Sequence, residues 1–326
     1  MQSDSPAKSI LHAGKGGLTS VRRVIDVHHH FEPTSKNVDG TPWSIHNAVD
    51  EMDRNGIATA IGYAGPVFVD GDGSGQKKTR EMNEWSAQLC REHAGRFGLF
   101  ASLPMNDVET CLSEIAYAFD VLEADGVGVA THYNGAGLGD PRFRPIFEEL
   151  NRRRAVVYVH PSGAPCASAS TLAYESDLIS APWIEFPTNT ARTILSLWTS
   201  GATRTWSDLK FIFCHGGGVM PILLGRIAGF SGWETVGPGR LDALFPDGVY
   251  AEFAKLYFEC AQAYAPEAIE MLLKIVSPSH LLFGSDYSYF PISHSVEQFA
   301  NVRLPDEIRA MISAENAAAL LPHWSL

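Results

Sequence analysis

The sequence contains few cysteines and no long apolar segment. Its five cysteines are odd in number and include no CxxC pair, which argues against a disulfide framework or a cysteine zinc site and favours a reducing compartment. No stretch approaches the length of a transmembrane helix. Residues 1–20 are polar and lack the apolar core of a signal peptide. We therefore expect a flexible leader over 1–20 and a soluble cytoplasmic protein that does not associate with membranes.

Basic residues are also scarce, which limits the partners that the protein can have. The chain of 326 residues carries 25 Lys and Arg against 37 Asp and Glu, for a formal net charge of −12. Its basic residues form no cluster that would suggest a nucleic-acid surface. We therefore expect no nucleic-acid partner.

Eight short apolar runs, each followed by a segment of helical pattern, organise the chain. The runs cover 24–30, 58–64, 97–103, 126–132, 155–160, 209–215, 255–261 and 280–286. The helical candidates lie near 44–55, 76–94, 107–123, 142–153, 188–206, 219–230, 265–276, 294–302 and 305–320. Alternating strands and helices predict a parallel sheet, and eight such units predict a closed (β/α)8 barrel. We expect a single barrel domain over 21–326 that ends in a C-terminal helix.

An open, doubly wound sheet is the competing architecture. It would place a glycine-rich phosphate-binding turn after the first strand. The first run instead ends in His28-His29-His30, which favours the barrel.

Histidines and one aspartate stand where several of the apolar runs end. His28 and His30 are two apart on one strand, so both side chains face the same side of the sheet. His160 and His215 end the fifth and sixth runs, and Asp286 ends the eighth. Imidazole and carboxylate groups bind zinc and similar divalent cations, and barrel enzymes carry their catalytic residues at these strand ends. The pattern predicts a metal-dependent enzyme.

Each of these features also has a purely structural explanation. The two alternating histidines could be core residues, and His215 could simply begin a tight turn, because three glycines follow it. Asp286 could cap the next helix, although Pro291 places that cap later. His29 should point outward into the helix layer, without a catalytic role. The coincidence of all these residues at strand ends favours the metal site.

The chain between Lys78 and Lys210 contains no lysine. The fourth strand therefore carries no lysine that could be carboxylated to bridge two metal ions. This absence favours one metal ion over two.

Four motifs, in order along the chain, resemble the amidohydrolase-2 branch of the amidohydrolase superfamily. They are Asp26-Val27-His28-His29-His30, Val159-His160-Pro161, His215-Gly216-Gly217-Gly218 and Gly284-Ser285-Asp286-Tyr287. That branch contains decarboxylases of aminocarboxymuconate semialdehyde, γ-resorcylate, 5-carboxyvanillate and 6-methylsalicylate. The similarity spans residues 22–322, and the segments 43–57 and 184–187 look most like the 6-methylsalicylate enzymes.

The resemblance implies a TIM barrel of the metal-dependent amidohydrolase type with one divalent cation, Zn²⁺ or Mn²⁺. The ligands that it implies are His28, His30, His160 and Asp286. His215 matches the catalytic histidine beside the metal. Where the family has Asp-Thr-Ala after strand seven, this chain has Glu259-Cys260-Ala261. The family also implies a homodimer or a homotetramer.

The function that follows is a nonoxidative decarboxylase of a small aromatic, hydroxybenzoate-type, or enol carboxylic acid. A hydrolase or hydratase of a related acid or lactone is the alternative, because the same ligands would serve it. A noncatalytic metal-binding protein is a third. For decarboxylation, His215 or Asp286 could protonate the carbon that bears the carboxylate, or His215 could act as base toward an activated water.

An aromatic substrate requires an apolar slot near the metal. The candidates for its walls are Phe31, Trp183, Phe186, Tyr287 and Tyr289, which follow predicted strands. Each could instead pack a loop against the barrel. Arg192 could pair with a substrate oxyanion or be a surface residue.

Overall fold

The computed structural model describes residues 24–32, 40–66, 74–162, 181–230 and 239–324. Its strands are β1 (Val24–His30), β2 (Ile57–Tyr63), β3 (Phe97–Ser102), β4 (Gly126–Ala130), β5 (His132–Tyr133), β6 (Ala136–Gly137), β7 (Val156–His160), β8 (Lys210–Phe213), β9 (Tyr257–Glu259) and β10 (Leu281–Leu282). The predicted leader, 1–20, lies outside the described residues.

Helices follow the strands. They are α1 (Ile45–Asn55), α2 (Ser74–Glu92), α3 (Val108–Asp120), α4 (Arg144–Arg152), α5 (Ala181–Thr199), α6 (Ala202–Thr205), α7 (Met220–Ala228), α8 (Arg240–Leu244), α9 (Val249–Ala254), α10 (Pro266–Ile275), α11 (Ile292–Asn301), α12 (Asp306–Ala310) and α13 (Asn316–Leu320). Among the described residues, no helix combines the length and the apolar character that crossing a membrane requires.

The main sheet is parallel and closes on itself. Its strand order is β1-β2-β3-β4-β7-β8-β9-β10, and β5 and β6 form a separate hairpin. The segment after β10 completes the circle, because Val27 N donates to Phe283 O at 3.0 Å and Asp286 N donates to His28 O at 2.9 Å. The prediction of a (β/α)8 TIM barrel is confirmed, and the open doubly wound sheet is excluded.

Large side chains fill the barrel interior and support the site above it. Tyr63, Phe100 and Tyr158 are fully buried inside the barrel, and the rings of Phe100 and Tyr158 stack at 5.2 Å. The C-terminal segment closes the opposite end, where Asn316 Nδ2 donates to the carbonyl oxygen of Leu281 at 2.7 Å. The metal-site residues therefore stand on a packed floor at the carboxyl ends of the strands.

The helices of the structure differ from the predicted ones in three respects. The helix predicted over 188–206 begins earlier, at Ala181, and contains Pro187 inside it. Helices α8 and α9 were not predicted. The predicted C-terminal helix is divided by a π-helical segment, Met311–Glu315, between α12 and α13.

Candidate metal centre and active site

Four side chains from β1, β7 and the segment after β10 converge on one point. His28 Nε2 lies 3.1 Å from His30 Nε2, and Asp286 Oδ1 lies 3.1 Å from the first nitrogen and 3.2 Å from the second. A ring nitrogen of His160 belongs to the same cluster, whose ligand atoms all lie within 4.8 Å of one another. All four side chains are almost completely buried. The structure thus brings together all four residues that the sequence indicated as ligands.

Hydrogen bonds between β1 and the segment after β10 hold Asp286 in an uncommon backbone conformation. Its φ is +59°, a left-handed value that costs a residue other than glycine roughly 1–2 kcal/mol. Asp286 N is anchored by the bond to His28 O described above. The carboxylate of Asp26 accepts bonds from the backbone N–H and the hydroxyl of Ser285. The buried Asp26 therefore ties the ligand segment to the strand that carries the histidine ligands.

The His215 side chain lies next to the four-residue ligand cluster, in contact with Asp286. Its Nε2 lies 3.6 Å from Asp286 Oδ2, the carboxylate oxygen that does not face His28 and His30. The backbone φ of His215 is +55°, and that of Gly218 is +62°. A Cβ on Gly218 would lie 2.3 Å from the carbonyl oxygen of Pro187, so this turn packs directly on α5. The glycines thus allow the turn to place His215 beside Asp286 and outside the ligand cluster.

The pKa values in the cluster reflect burial and mutual attraction. Burial alone would lower the pKa of His28, but the Glu259 and Asp286 carboxylates outweigh it and raise the pKa to about 10. Burial likewise opposes ionisation of Asp286, yet the adjacent histidines, His28 first, hold the pKa of that carboxyl well below its usual range. Burial and the neighbouring His30 and His28 lower the pKa of His160 well below its usual value. The centre combines an ionised carboxylate with a neutral imidazole.

This donor set fits a divalent metal ion. Three imidazoles and one carboxylate form the mixed nitrogen and oxygen set that Zn²⁺ and similar cations accept. His28 Nε2 and His30 Nε2 face each other at 3.1 Å, and only a shared proton or a cation would make that approach favourable. A cation would also balance the buried charge of Asp286. The described residues can therefore hold a divalent metal.

Glu259 is a site residue that the sequence reasoning did not assign. It ends β9, is fully buried, and its Oε1 lies 2.9 Å from His28 Nδ1 and 2.7 Å from the backbone nitrogen of His215. The sequence feature that could have identified Glu259 as a site residue is its position at the end of the seventh strand of the barrel. A charged residue at the end of a buried strand requires partners, and these are the metal ligand and the catalytic turn.

Two aromatic side chains flank the cluster. The ring of Phe186 on α5 lies 6.3 Å from the ring of His160, and the ring of Tyr289 lies 4.9 Å from that of His30. The Tyr289 hydroxyl donates to Glu32 Oε1 at 3.2 Å. Phe186 is partly buried and Tyr289 is exposed, so neither ring is fully enclosed by the protein.

Phe31 and Tyr287, which were also expected to contact substrate, are both buried. Phe31 is fully buried on the outer side of the sheet, where its ring packs against Trp43, Trp85 and Phe97. Tyr287 is also buried, and its ring stacks on His29 at 4.9 Å. Phe31 directly follows the inward-facing His30 at the end of β1, so alternation turns its side chain outward. Phe31 and Tyr287 thus pack the barrel against its surroundings.

Trp183 and Arg192 both belong to exposed parts of α5. The Trp183 side chain is 69% exposed. Arg192 lies on the solvent face of the helix, beside the buried Ala191 and Thr193. Their predicted contacts with substrate stay predictions.

A parallel eight-stranded barrel with a His and Asp cluster at its carboxyl ends defines a metal-dependent barrel enzyme of the amidohydrolase type. The amidohydrolase family model, Amidohydro_2, matches residues 25–323. The chain belongs to this family.

Individual relatives agree with the family assignment. The chain is 30% identical to decarboxylase yanB of Aspergillus niger, with 93% of this chain and 88% of the relative covered. It is 32% identical to 6-methylsalicylic acid decarboxylase acuB of Aspergillus aculeatus, with 91% and 96% covered. A dihydroxybenzoic acid decarboxylase from Polaromonas, solved with bound manganese and 2-nitroresorcinol, superposes with a TM-score of 0.80 at 20% identity, over 92% of this chain and 97% of that one. This last similarity establishes the shared fold.

Proposed function

We propose that this protein is a metal-dependent, nonoxidative decarboxylase of a small aromatic acid of the hydroxybenzoate type. The observation that carries the proposal is that the two oxygens of the Asp286 carboxylate face different groups. Its Oδ1 faces the nitrogens of His28 and His30, whereas its Oδ2 faces His215 Nε2 at 3.6 Å. One residue thus joins a metal-binding cluster to a group that can carry a proton. The named decarboxylases among the relatives support the same reaction.

Decarboxylation requires a proton at a defined place. The bond between the ring carbon and the carboxylate breaks, its electron pair stays on the ring, and a new bond to hydrogen forms at that carbon as CO2 leaves. We assign this proton to His215 Nε2, which lies beside the Asp286 carboxylate, 3.6 Å from its Oδ2.

The remaining residues hold the substrate in place. When bound, a divalent cation supplies Lewis-acid attraction for the carboxylate and phenolic oxygens of the acid. Phe186 lies beside His160 and Tyr289 lies beside His30, and we infer that these two rings contact the aromatic ring of the substrate. Zn²⁺ and Mn²⁺ both accept the mixed ligand set, and manganese in the Polaromonas enzyme supports Mn²⁺ as the first choice.

The test uses metal-free protein that is reloaded separately with Mn²⁺ or Zn²⁺. Each form is incubated with 6-methylsalicylate, 2,6-dihydroxybenzoate and 5-carboxyvanillate, and the products are identified by mass spectrometry. We expect one acid to lose the mass of CO2, and His215→Asn protein loaded with the same metal serves as the inactive control. Products that gain water would identify a hydrolase or hydratase instead. No reaction with any of the acids would refute a decarboxylase of these aromatic acids.

We also propose a homodimer or homotetramer in the cytoplasm, built from one barrel domain over residues 21–326. Among the described cysteines, Cys90, Cys111, Cys214 and Cys260 are free, which supports a reducing compartment. Light scattering coupled to gel filtration tests the assembly, since a monomer at micromolar concentration would contradict it.

A further inference from the structure

Glu259 connects three parts of the site through a single carboxylate. Oε1 lies 2.9 Å from His28 Nδ1 and accepts a bond of 2.7 Å from the backbone N–H of His215. Oε2 accepts a bond of 2.6 Å from the backbone N–H of Ala261. The side chain is fully buried, so water does not compete for these bonds.

We propose that Glu259 is a positioning residue that sets the metal affinity of the site by orienting His28 and by holding the backbone of His215. The inference rests on the metal site of the proposed function. A carboxylate at Nδ1 requires the hydrogen of His28 to be there, which leaves the lone pair of Nε2 directed at His30 and Asp286. The same oxygen anchors the turn that carries the proton donor. Glu259 therefore positions both the metal ligand His28 and the proton donor His215.

The hydrogen-bond pattern requires a carboxylate at this position. The backbone N–H groups of His215 and Ala261 are fixed donors, and they face different oxygens of Glu259. Glutamine has one acceptor oxygen, so in either orientation its NH2 group would face one of these N–H groups. A buried donor would then be left without a partner, which is unfavourable. Aspartate keeps both oxygens but is one methylene shorter, so it would not reach all three donors together.

Gly284 has no side chain, and the Glu259 carboxylate occupies the space that a side chain there would fill. A Cβ at Gly284 would lie 2.1 Å from Glu259 Oε2 and 2.9 Å from His28 Cβ. Gly284 has no positive φ, so its backbone conformation does not itself require glycine. The need for glycine comes from the Glu259 carboxylate and the ligand strand. Gly284→Ala should therefore displace Glu259, and to a lesser extent His28, without changing the chemical identity of any group that forms the hydrogen bonds.

Charge also supports this role. Asp286 faces the ligand nitrogens directly, and Glu259 contacts the opposite ring nitrogen of His28. Two buried carboxylates together match the charge of one divalent cation.

The experiment measures Mn²⁺ and Zn²⁺ dissociation constants by competition with a coloured chelator. It compares the wild-type protein with Glu259→Gln, Gly284→Ala and a control, Glu114→Gln. Glu114 is as deeply buried, but its carboxylate pairs with Arg80 and Asn83 between α2 and α3, away from the site. We expect Glu259→Gln to weaken metal binding about 10–100-fold, the usual effect of losing a partner behind a metal ligand. Gly284→Ala should also weaken it, and Glu114→Gln should leave it unchanged.

Two further readouts separate positioning from general destabilisation. The visible absorption bands of Co²⁺-loaded protein report ligand geometry, and they should shift in Glu259→Gln but not in Glu114→Gln. The double variant Glu259→Gln with Gly284→Ala should lose less affinity than the two single losses combined, since both changes disturb the same Glu259 side chain.

The outcomes distinguish this inference from the proposed function. Wild-type protein that binds no divalent metal would refute the metal site and therefore both proposals. Wild-type affinity in both Glu259→Gln and Gly284→Ala would refute the positioning role alone. Equal losses of affinity in Glu259→Gln and Glu114→Gln would also overturn it, because the effect would then be one of overall stability.

Discussion

Replacing His215 by asparagine should stop turnover while leaving the metal bound. The φ of His215 is +55°, a value that asparagine adopts more readily than alanine, so the turn should keep its shape. His215 Nε2 contacts Asp286 Oδ2 at 3.6 Å and is not part of the four-residue ligand cluster. The substitution therefore removes the group that carries the proton without removing a ligand.

The size of the effect follows from the role assigned to His215. A positioned acid or base contributes about 10²–10⁴-fold to the rate, which corresponds to about 2.7–5.4 kcal/mol in the activation free energy. Asparagine cannot carry a proton at neutral pH, so we expect kcat to fall by about 10²–10⁴-fold. A loss of less than about tenfold, equivalent to about 1.4 kcal/mol, would be too small for the sole proton donor.

The assay measures kcat and bound metal on the same preparation. Decarboxylation is followed by release of CO2, and metal content is measured by elemental analysis. His46→Asn on α1 is the matched control, because the His46 side chain is 83% exposed. Near-normal turnover in His215→Asn would refute the proton-transfer role, and loss of metal together with activity would make His215 a ligand.

Three other predictions test particular parts of the molecule. Asp286→Asn should lose bound metal, because Oδ1 of Asp286 is the charged atom facing His28 and His30; a full metal complement by elemental analysis would contradict the ligand assignment. Phe31→Ala should lower the free energy of unfolding by about 3–5 kcal/mol in urea denaturation, with KM unchanged. A raised KM at unchanged stability would return Phe31 to the substrate site. Burial raises the pKa of Cys90 to about 12, so iodoacetamide at pH 8 should label it much more slowly in the native protein than in the unfolded protein; equal labelling rates in the two states would contradict this.

The barrel could be predicted because its strands leave local signals. Strands covered on both faces are continuously apolar, and each of the eight predicted runs overlaps a strand of the barrel. Helices α8 and α9 span 5 and 6 residues, which is too short for a helical period to appear. Pro187 favoured a helix start at residue 188, since proline is usually tolerated only in the first turn. The helix nevertheless begins at Ala181.

The side of the sheet that each residue faces was predictable only in part. Alternation placed His28 and His30 together correctly, and the same rule, applied to the next residue, would have turned Phe31 outward. The β1 strand also contains a register shift between Asp26 and His29. Such an irregularity changes which residues face the interior, and nothing in the local apolar pattern marks it.

The sequence by itself determined the order of the strands and the identity of the side chains at their carboxyl ends, because both depend on short-range periodicity. Only the tertiary structure decided which atoms of those side chains face one another. Asp286 divides its two oxygens between the ligand histidines and His215, and Glu259 contacts His28 across 231 positions of the chain. The distances behind these contacts are set by the closure of the barrel, which brings together strand ends that are far apart in sequence.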